Sequence, residues 1–348
     1  MWPYFLFLFI CIVIGLFIEL KHESSNVSKL GVFLLFVTMV LFAGYRNESV
    51  GTDTGGYVFF FLQYDLSSSF EDYNLEIGYL VINYLAKYFH DSYDSLLLLI
   101  AAISYYLSIK SIYKFSFLPV ISLFVFISFG MFLFSFNGIR QSIAAYVIMF
   151  SLPYMFQKRL FVFSLLILLA FQFHKSSVIF FPFYFMVSQT FSVKYLVKLI
   201  LVTISLVSLY TFTFSYAIAL NQKYAMYYES KASGGALLTF GYLSLAIFFI
   251  LFRKLVKSYY LKYYDFCLNM FLIGTAIFIF VQLSGVYVEV TRLAIYFLMA
   301  AIFLWPIVFK SLKKSELPLV YLGFFIFHIS FYAFFILKIG GLCPYTLS

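Results

Sequence analysis

The sequence predicts an all-α polytopic integral membrane protein, and three observations support this fold class. First, 64% of the 348 residues are hydrophobic and only 11% are charged, whereas a soluble domain is about 45–50% apolar and about 25% charged. Second, the apolar residues form runs of about 15 to 22 residues, the length of a helix that crosses a hydrocarbon core of about 30 Å. Third, the alternating pattern of a membrane β-strand is absent, so the runs are expected to be helices.

Twelve apolar segments are predicted transmembrane helices. In chain order they cover residues 3–20, 30–45, 93–110, 117–136, 141–156, 160–173, 176–190, 197–218, 236–252, 266–284, 292–309 and 317–338. The first segment has neither a basic n-region nor a small-residue cleavage site, so we expect a retained span and not a signal peptide. No linker, low-complexity run or obvious repeat divides the segments, which predicts a single domain over residues 1–348.

The distribution of charge predicts the orientation. The loops that follow the odd-numbered segments contain 15 of the 23 Lys and Arg residues, whereas ten of the 14 Asp and Glu residues fall on the opposite side. The positive-inside rule therefore places these basic loops in the cytoplasm and both termini outside. The basic residues are scattered beside apolar runs, which is typical of loop anchors, so no nucleic-acid partner is predicted.

Two large loops are expected on the outer side. The first, residues 46–92, begins within the segment YRNESVGTDTGGY (residues 45–57), here called the first-loop motif. The same loop contains GYLVINYLAKYFH (residues 78–90), which is too short and too polar to span and is predicted to be an amphipathic interfacial helix. The second outer loop covers residues 219–235.

Charged side chains at the outer ends of the segments are the main functional signal. His174 and Lys175 stand between two short segments; a helix as short as the first of them, with 14 residues, reaches only about 21 Å. The two residues therefore lie either where the bilayer thins or at the floor of a water-filled recess. Arg46, Arg140 and Arg292 also lie at outer helix ends, where ionisable groups are costly and usually face a functional cavity.

Each of these groups also has a simpler interpretation. An arginine or Lys175 can be an anchor that reaches toward water, and Asp53 can cap a helix or form a turn. His174 can bond a carbonyl at the interface. Glu76 and Glu289 can simply pair with nearby arginines. The gathering of arginines, a histidine and acids on one face favours a functional site.

Arginine chemistry indicates an anionic ligand. A guanidinium group binds phosphate oxygens in a bidentate fork, so three outward arginines predict a diphosphate site. A diphosphate joined to a lipid carries an activated sugar; its transfer requires a neutralised leaving group and a base for the acceptor hydroxyl. His174 or Asp53 can accept that proton. No Gly-rich phosphate loop and no clean metal-ligand spacing occur, so neither a cofactor nor a metal is predicted.

Four motifs, in this order, resemble the EpsG-like family, a branch of the Wzy-type polysaccharide and O-antigen polymerases. They are the first-loop motif, FNGIRQSIAAYVIMF, ILLAFQFHKSSVIFFPF and TRLAIYF. The resemblance covers about residues 40 to 310 and implies a GT-C-like glycosyltransferase fold. It also implies polymerisation of undecaprenyl-diphosphate-linked oligosaccharide repeat units at the outer face of a bacterial cytoplasmic (inner) membrane. Membrane lipid and a chain-length regulator protein are the further partners.

The resemblance assigns roles to individual residues. His174 and Asp53 are the expected catalytic residues. Arg46, Arg140 and Arg292 are expected to bind the diphosphate. Apart from the resemblance, the residues expected to support the site are Tyr57, Glu76, Gln141, Lys175 and Glu289. The R-x10-G signature of other polymerases is missing after Arg140, because the eleventh residue onward is Ser151.

Other functions fit parts of the pattern. A lipid-linked oligosaccharide transporter, or flippase, has a similar number of spans, but transporters tend to place charges near the midplane in repeat-related pairs. A membrane acyltransferase would also use a histidine, but it needs no arginine cluster. An envelope scaffold explains the topology without explaining the arginines.

Overall fold

The computed structural model describes residues 1–20, 25–187, 190–220, 235–284 and 288–348. Within these ranges the chain is helical, with an isolated β-bridge and no extended strand. The α-helices are, in chain order, α1 (Trp2–Leu20), α2 (Ser25–Gly44), α3 (Thr54–Gln63), α4 (Ile77–Phe89), α5 (Tyr93–Phe115), α6 (Pro119–Ser128), α7 (Met131–Phe134), α8 (Ile139–Phe156), α9 (Leu160–Phe171), α10 (Val193–Leu220), α11 (Ala236–Phe252), α12 (Ser258–Ser284), α13 (Val288–Thr291), α14 (Ile295–Leu298), α15 (Ala301–Ser311) and α16 (Leu317–Lys338). Most of the predicted loop 219–235 lies outside the described residues.

Eight helical segments in the described ranges are long and apolar enough to cross a membrane. They are Trp2–Leu20, Asn26–Gly44, Tyr93–Phe115, Val193–Thr213, Ala236–Leu255, Ser258–Ser284, Arg292–Ser311 and Leu317–Lys338. The all-helical, multi-pass character predicted from composition is thereby confirmed.

The count of twelve spans is not confirmed, because four predicted segments are not among the described helices that are long and apolar enough to cross a membrane. Segment 117–136 is divided at Gly130 into α6 and the short α7, and segment 160–173 contains only the 12 residues of α9. Segment 176–190 contains a 3₁₀ helix, Lys175–Phe185, with Pro182 inside it. Segment 141–156 lies in α8, which opens with polar residues around Arg140. Hydropathy alone does not distinguish these broken or polar elements from full spans.

The chain packs as two compact units. The first contains Met1–Met155, Arg159–Val178 and Lys313–Ser348, and the second contains Phe156–Lys158 and Ile179–Leu312. The single domain predicted for residues 1–348 stays a prediction.

In the first unit, α2 packs along α1 and α5, and α4 packs on α5. A core cluster joins Phe61 of α3, Tyr79 and Ile82 of α4, Leu97 of α5 and Ile139 of α8. Lipid tails are as apolar as these side chains, so the helices are held together by close packing and internal hydrogen bonds. The cluster fixes the ends of α3, α4 and α8, which carry the site residues.

Helix α4 matches the helix predicted at residues 78–90 and has two different faces. Its buried residues follow a helical spacing: Tyr79, Leu80, Ile82, Asn83 and Ala86. Its exposed residues are apolar or aromatic: Ile77, Val81, Tyr84, Leu85, Tyr88 and Phe89. An exposed face of this composition suits a membrane interface. The interfacial location itself stays a prediction.

The second unit is arranged around α12, which packs against α10, α11, α14 and α15. Arg253, directly after α11, donates from Nε and Nη2 to the carboxylate of Asp265 at 2.6 and 2.9 Å. The planar guanidinium suits these two parallel bonds. Asp265 also accepts the backbone N–H of Phe191 at 3.2 Å, so one carboxylate joins three parts of this unit.

Residues 339–348, here called the tail segment, return to the first-loop motif. Tyr4 donates its hydroxyl to the Leu342 carbonyl at 2.6 Å, and Tyr345 donates its hydroxyl to the Phe42 carbonyl at 2.6 Å. The backbone bonds join the Asn47 N–H to Thr346 (2.9 Å), the Gly51 N–H to Gly341 (3.0 Å), the Thr52 N–H to Gly340 (3.1 Å) and the Ser348 N–H to Tyr45 (3.0 Å). The tail segment therefore completes the hydrogen bonding of a loop that has no regular structure of its own.

Candidate functional site

The first-loop motif is held against the turn before α8. The Thr52 N–H donates to Asn137 Oδ1 at 2.7 Å, and the Thr54 hydroxyl donates to the Phe136 carbonyl at 2.7 Å. Gly51 permits this approach, because its φ is +100° and a Cβ there would lie 2.5 Å from the Phe136 carbonyl oxygen. Only glycine adopts that backbone without strain. The first-loop motif and the FNGIRQ segment that opens α8 are thus joined directly, although they are far apart in sequence.

Asp53 lies directly before α3. Its side chain makes no capping hydrogen bond to that helix, which is the bond that makes such a residue a stabilising cap. Its Oδ1 accepts the Thr52 hydroxyl at 3.1 Å. Because Thr52 is in turn fixed by Asn137, Asp53 is placed close to the start of α8.

Glu76 lies directly before α4, and only 8% of its side chain is exposed. The N–H of Gly78 donates to the Gln172 carbonyl at 2.8 Å. A Cβ at Gly78 would lie 2.7 Å from the same oxygen, so the two backbones meet at a distance that requires glycine. This approach sets the start of α4 against the end of α9 and brings Glu76 to His174.

Glu76 connects three groups. Arg140 Nη1 donates to Glu76 Oε2 at 2.5 Å, and the backbone N–H of Lys175 donates to Oε1 at 3.4 Å. His174 Nδ1 lies 3.4 Å from the same Oε1. The side chains of Arg140 and His174 keep 26% and 30% of their surface exposed. An accessible cation and an accessible imidazole therefore share one buried carboxylate, an arrangement suited to anion binding and proton transfer.

The carboxylate of Glu76 is strongly acidic in this setting. Burial raises its pKa, but the neighbouring His174 imidazole and the positive charge of Arg140 lower it more, and the resulting pKa is about 2. Glu76 is therefore ionised throughout the neutral range. An ionised carboxylate fixes the position of both partners without competing with them for a proton.

The supporting residues predicted from the sequence fall around this cluster to different degrees. The Tyr57 side chain forms a hydrogen bond with Arg140, and the Tyr79 ring centroid lies 5.8 Å from the guanidinium carbon. Gln141 follows Arg140 in α8 and is buried. Lys175 contributes its backbone N–H, while the residue itself is exposed.

Arg46 is in a different environment from Arg140. It is only 2% exposed and lies under the tail segment, where it forms a β-bridge with Leu347. Nη1 donates to the Ala43 carbonyl, and the guanidinium carbon lies 4.4 Å from the Phe136 ring centroid. Nε and Nη2 are buried and make no hydrogen bond within the described part of the chain. Burial lowers the pKa of Arg46 to about 10, so the group remains charged near neutral pH.

Arg292 lies in the second unit, where it begins a 3₁₀ turn, Arg292–Ala294, after α13 and is half-buried. Its role at the diphosphate stays a prediction. The side chain of Glu289 lies outside the described residues. Across the described ranges, no three His, Cys, Asp or Glu side chains group as a metal site requires; independence from metal stays a prediction.

Asn137 is a residue that the sequence reasoning missed. It accepts the Thr52 N–H at 2.7 Å and lies 3.2 Å from the Thr52 hydroxyl, and so connects the first-loop motif to the segment that carries Arg140. Its position in FNGIRQ was the available signal, since an Asn-Gly pair directly before a helix marks a specific turn.

Comparison with known proteins agrees with this arrangement of motifs. The sequence model of the EpsG family matches residues 29–347. No curated protein and no solved structure matches the chain significantly. The matched range includes the first-loop motif, the other three motifs named from the sequence and the tail segment up to residue 347. Because it extends over nearly the whole sequence, the chain belongs to the EpsG family.

Proposed function

We propose that the protein is a polysaccharide polymerase, a glycosyltransferase that transfers a growing glycan from undecaprenyl diphosphate to another lipid-linked repeat unit. Membership of the EpsG family favours a role in polysaccharide polymerisation. The observation that supports the reaction most directly is the contact of Arg140 and His174 with one buried carboxylate, Glu76. It provides an anion-binding group and a proton acceptor a few ångströms apart. The proposed site faces the outer side of the cytoplasmic membrane.

The proposed step exchanges one bond for another at the anomeric carbon of the donor. The bond from this carbon to the diphosphate oxygen breaks, and its electron pair leaves with undecaprenyl diphosphate. A hydroxyl at the non-reducing end of the acceptor unit forms the new glycosidic bond, and its proton passes to a base. Positive charge develops at the anomeric carbon and negative charge on the leaving group.

Arg140 is proposed to stabilise the departing diphosphate. Its Nη1 is held by Glu76, and its guanidinium also bonds Tyr57, so its orientation is fixed before the ligand arrives. Interactions that strengthen as charge develops on the leaving group lower the barrier, whereas equal binding of substrate and transition state does not. Arg46 and Arg292 are the further arginines that the family resemblance implies.

His174 is proposed as the base. With Nδ1 directed to Glu76, the tautomer that donates from Nδ1 leaves the lone pair of Nε2 for the acceptor hydroxyl. Asp53 is the second candidate, because its carboxylate lies in the first-loop motif and makes no capping bond. In this proposal Glu76 positions the imidazole and stabilises the imidazolium that forms.

Single-turnover polymerisation of a synthetic lipid-linked repeat distinguishes the two bases. The two variants to compare are His174→Ala and Asp53→Asn. The variant that lacks the catalytic base is expected to lose roughly 10²–10⁴-fold in rate while still binding the donor. His90→Ala and Asp65→Asn are matched controls, since both residues are exposed in the first outer loop, and both should retain the rate. If Asp53→Asn alone is slow, the base is Asp53; if neither variant is slow, the proposed step is wrong. The same assay with a chelator tests independence from metal.

The alternative is a flippase for the same lipid-linked oligosaccharide. Deletion of the gene separates the two functions, because loss of a polymerase leaves single repeat units on the cell surface in place of a ladder. Loss of a flippase leaves none. Complementation with His174→Ala should restore the ladder only if this histidine has no part in polymerisation.

A further inference from the structure

An apolar groove lies between α2 and α5, at the ends of these helices that are remote from the Glu76 cluster. Its volume is about 540 Å³, within the range of about 300–1,000 Å³ that is typical of small-molecule sites. The groove reaches Lys110, whereas the core cluster beneath the candidate site meets α5 near Leu97. Thirteen residues of helix separate these two positions, which is roughly 20 Å.

The two ends of the groove differ in chemistry. Along its length the wall is hydrocarbon and aromatic, formed by Val32, Phe33 and Phe36 of α2 and by Tyr106 and Ile109 of α5. Its polar end is formed by Ser28, Lys29, Lys110 and Tyr113. A ligand that fits both ends has a hydrocarbon part and a polar head. Since Phe33 and Tyr106 are 59% and 54% exposed, the groove opens toward the surrounding lipid.

The polar end is positively charged. Lys29 and Lys110 are exposed, and neither forms an ion pair with a carboxylate of a described residue. Ser28 is in the first turn of α2 and Lys29 follows it directly, close to the positive end of the helix dipole. None of the lining residues in the described part of the chain is acidic. Glu19 of α1 acts electrostatically on Tyr113, and the two lysines still leave a positive charge at this end.

We propose that this groove binds an anionic glycerophospholipid, with its phosphate between Lys29 and Lys110 and an acyl chain along the apolar wall. A zwitterionic lipid would place an amine beside two ammonium groups, with no acidic side chain among the described lining residues to receive it. The lysines lie near helix ends whose adjoining loops the positive-inside rule assigns to the cytoplasm. The ligand is therefore a lipid of the inner leaflet, and basic pockets between membrane helices on that side suit such head groups.

Native mass spectrometry of the full-length protein tests the site. The purified chain is titrated with phosphatidylglycerol or with phosphatidylcholine of identical acyl chains. We expect selective retention of phosphatidylglycerol, and its affinity should fall about fivefold for each lysine replaced in Lys29→Gln and Lys110→Gln. Replacement by arginine at both positions should retain binding, because the charge is kept.

A matched control has the same change in charge elsewhere. Lys194 and Lys198 are also exposed basic residues at the start of a membrane helix, and Lys194→Gln with Lys198→Gln should leave phosphatidylglycerol affinity unchanged. Equal retention of the two lipids, or an equal loss in the control variant, overturns the proposal. If the double glutamine variant does not purify folded, the single Lys110→Gln variant decides. None of these measurements depends on polymerase activity.

Discussion

At the scale of single residues, Glu76 organises the candidate site. A buried carboxylate is costly unless it is paired and hydrogen-bonded, and Glu76 meets this condition through Arg140, His174 and the Lys175 N–H. Arg140 and His174 could be identified as candidate residues from the sequence, because each is an ionisable residue at one end of an apolar segment. Their contact could not be predicted, since it depends on the approach of the Gly78 and Gln172 backbones, which no periodic pattern encodes.

The charge of Glu76 predicts how stability depends on pH. Its pKa is lowered from an ordinary value of 4.5 to about 2, so its stabilising effect is present above pH 4.5 and is lost as the pH falls through 2. The unfolding temperature of the purified protein should fall over this window, and less so in Glu76→Gln. Glu71→Gln, at an exposed carboxylate of the same loop, is the control and should behave like the wild type. An identical acid response in all three proteins contradicts the assignment.

Arg140 predicts a second residue-scale result. Lysine supplies a point charge, and cannot reproduce the guanidinium fork that bonds Glu76 and Tyr57. Arg140→Lys should therefore lose polymerisation almost as severely as Arg140→Ala, by about 10–100-fold, the value of one or more hydrogen bonds to charged groups. Rates on the synthetic lipid-linked repeat measure this. Arg159→Lys is the matched control at an exposed helix start; full activity in Arg140→Lys excludes a bidentate role.

At the scale of elements, the structure explains which predictions from hydropathy succeed. Helix α4 was predicted because residues 78–90 are too short and too polar to span and have an amphipathic pattern. Its buried residues do recur at helical spacing, from Tyr79 to Ala86. Segment 176–190 was predicted as a span on apolar content alone, yet Lys175–Phe185 is a 3₁₀ helix that contains Pro182. Proline removes a backbone donor and disrupts a regular α-helix, and average hydropathy does not register this effect, so the span at 176–190 stays a prediction.

Two glycines of the first-loop motif predict opposite effects on stability. Gly51→Ala forces a side chain into a left-handed backbone against the Phe136 carbonyl, and should cost about 1–3 kcal/mol. Gly56→Ala lies inside α3 with no atom within 4 Å of its Cβ, and should stabilise by up to about 1 kcal/mol. Unfolding temperatures in detergent compare the pair. Equal effects would show that the turn at Gly51 is not required.

At the scale of the whole molecule, the predicted orientation is open to a direct test. The positive-inside rule places Lys254 in the cytoplasm and Tyr224, in the predicted second outer loop, outside. Reporter fusions at these two positions should therefore give opposite signals.

Composition was sufficient to predict a helical membrane protein, because few charged residues and long apolar runs leave no soluble alternative. The number of spans was harder to predict, since short elements such as α6 and α9 have the composition of full spans without their length.

The tail segment also has a consequence for the order in which the protein is completed. Ser348 and Tyr45 are separated by 303 residues, and ribosomes add about 5–20 residues per second, so roughly 15–60 s pass between the synthesis of the two partners. During that time Asn47, Gly51 and Thr52 have not yet met the carbonyls that receive their N–H groups. The first-loop motif is thus made long before the tail segment that completes its hydrogen bonding. A nascent chain that stops before residue 340 lacks the partners of this loop, which ties maturation of the candidate site to synthesis of the tail segment.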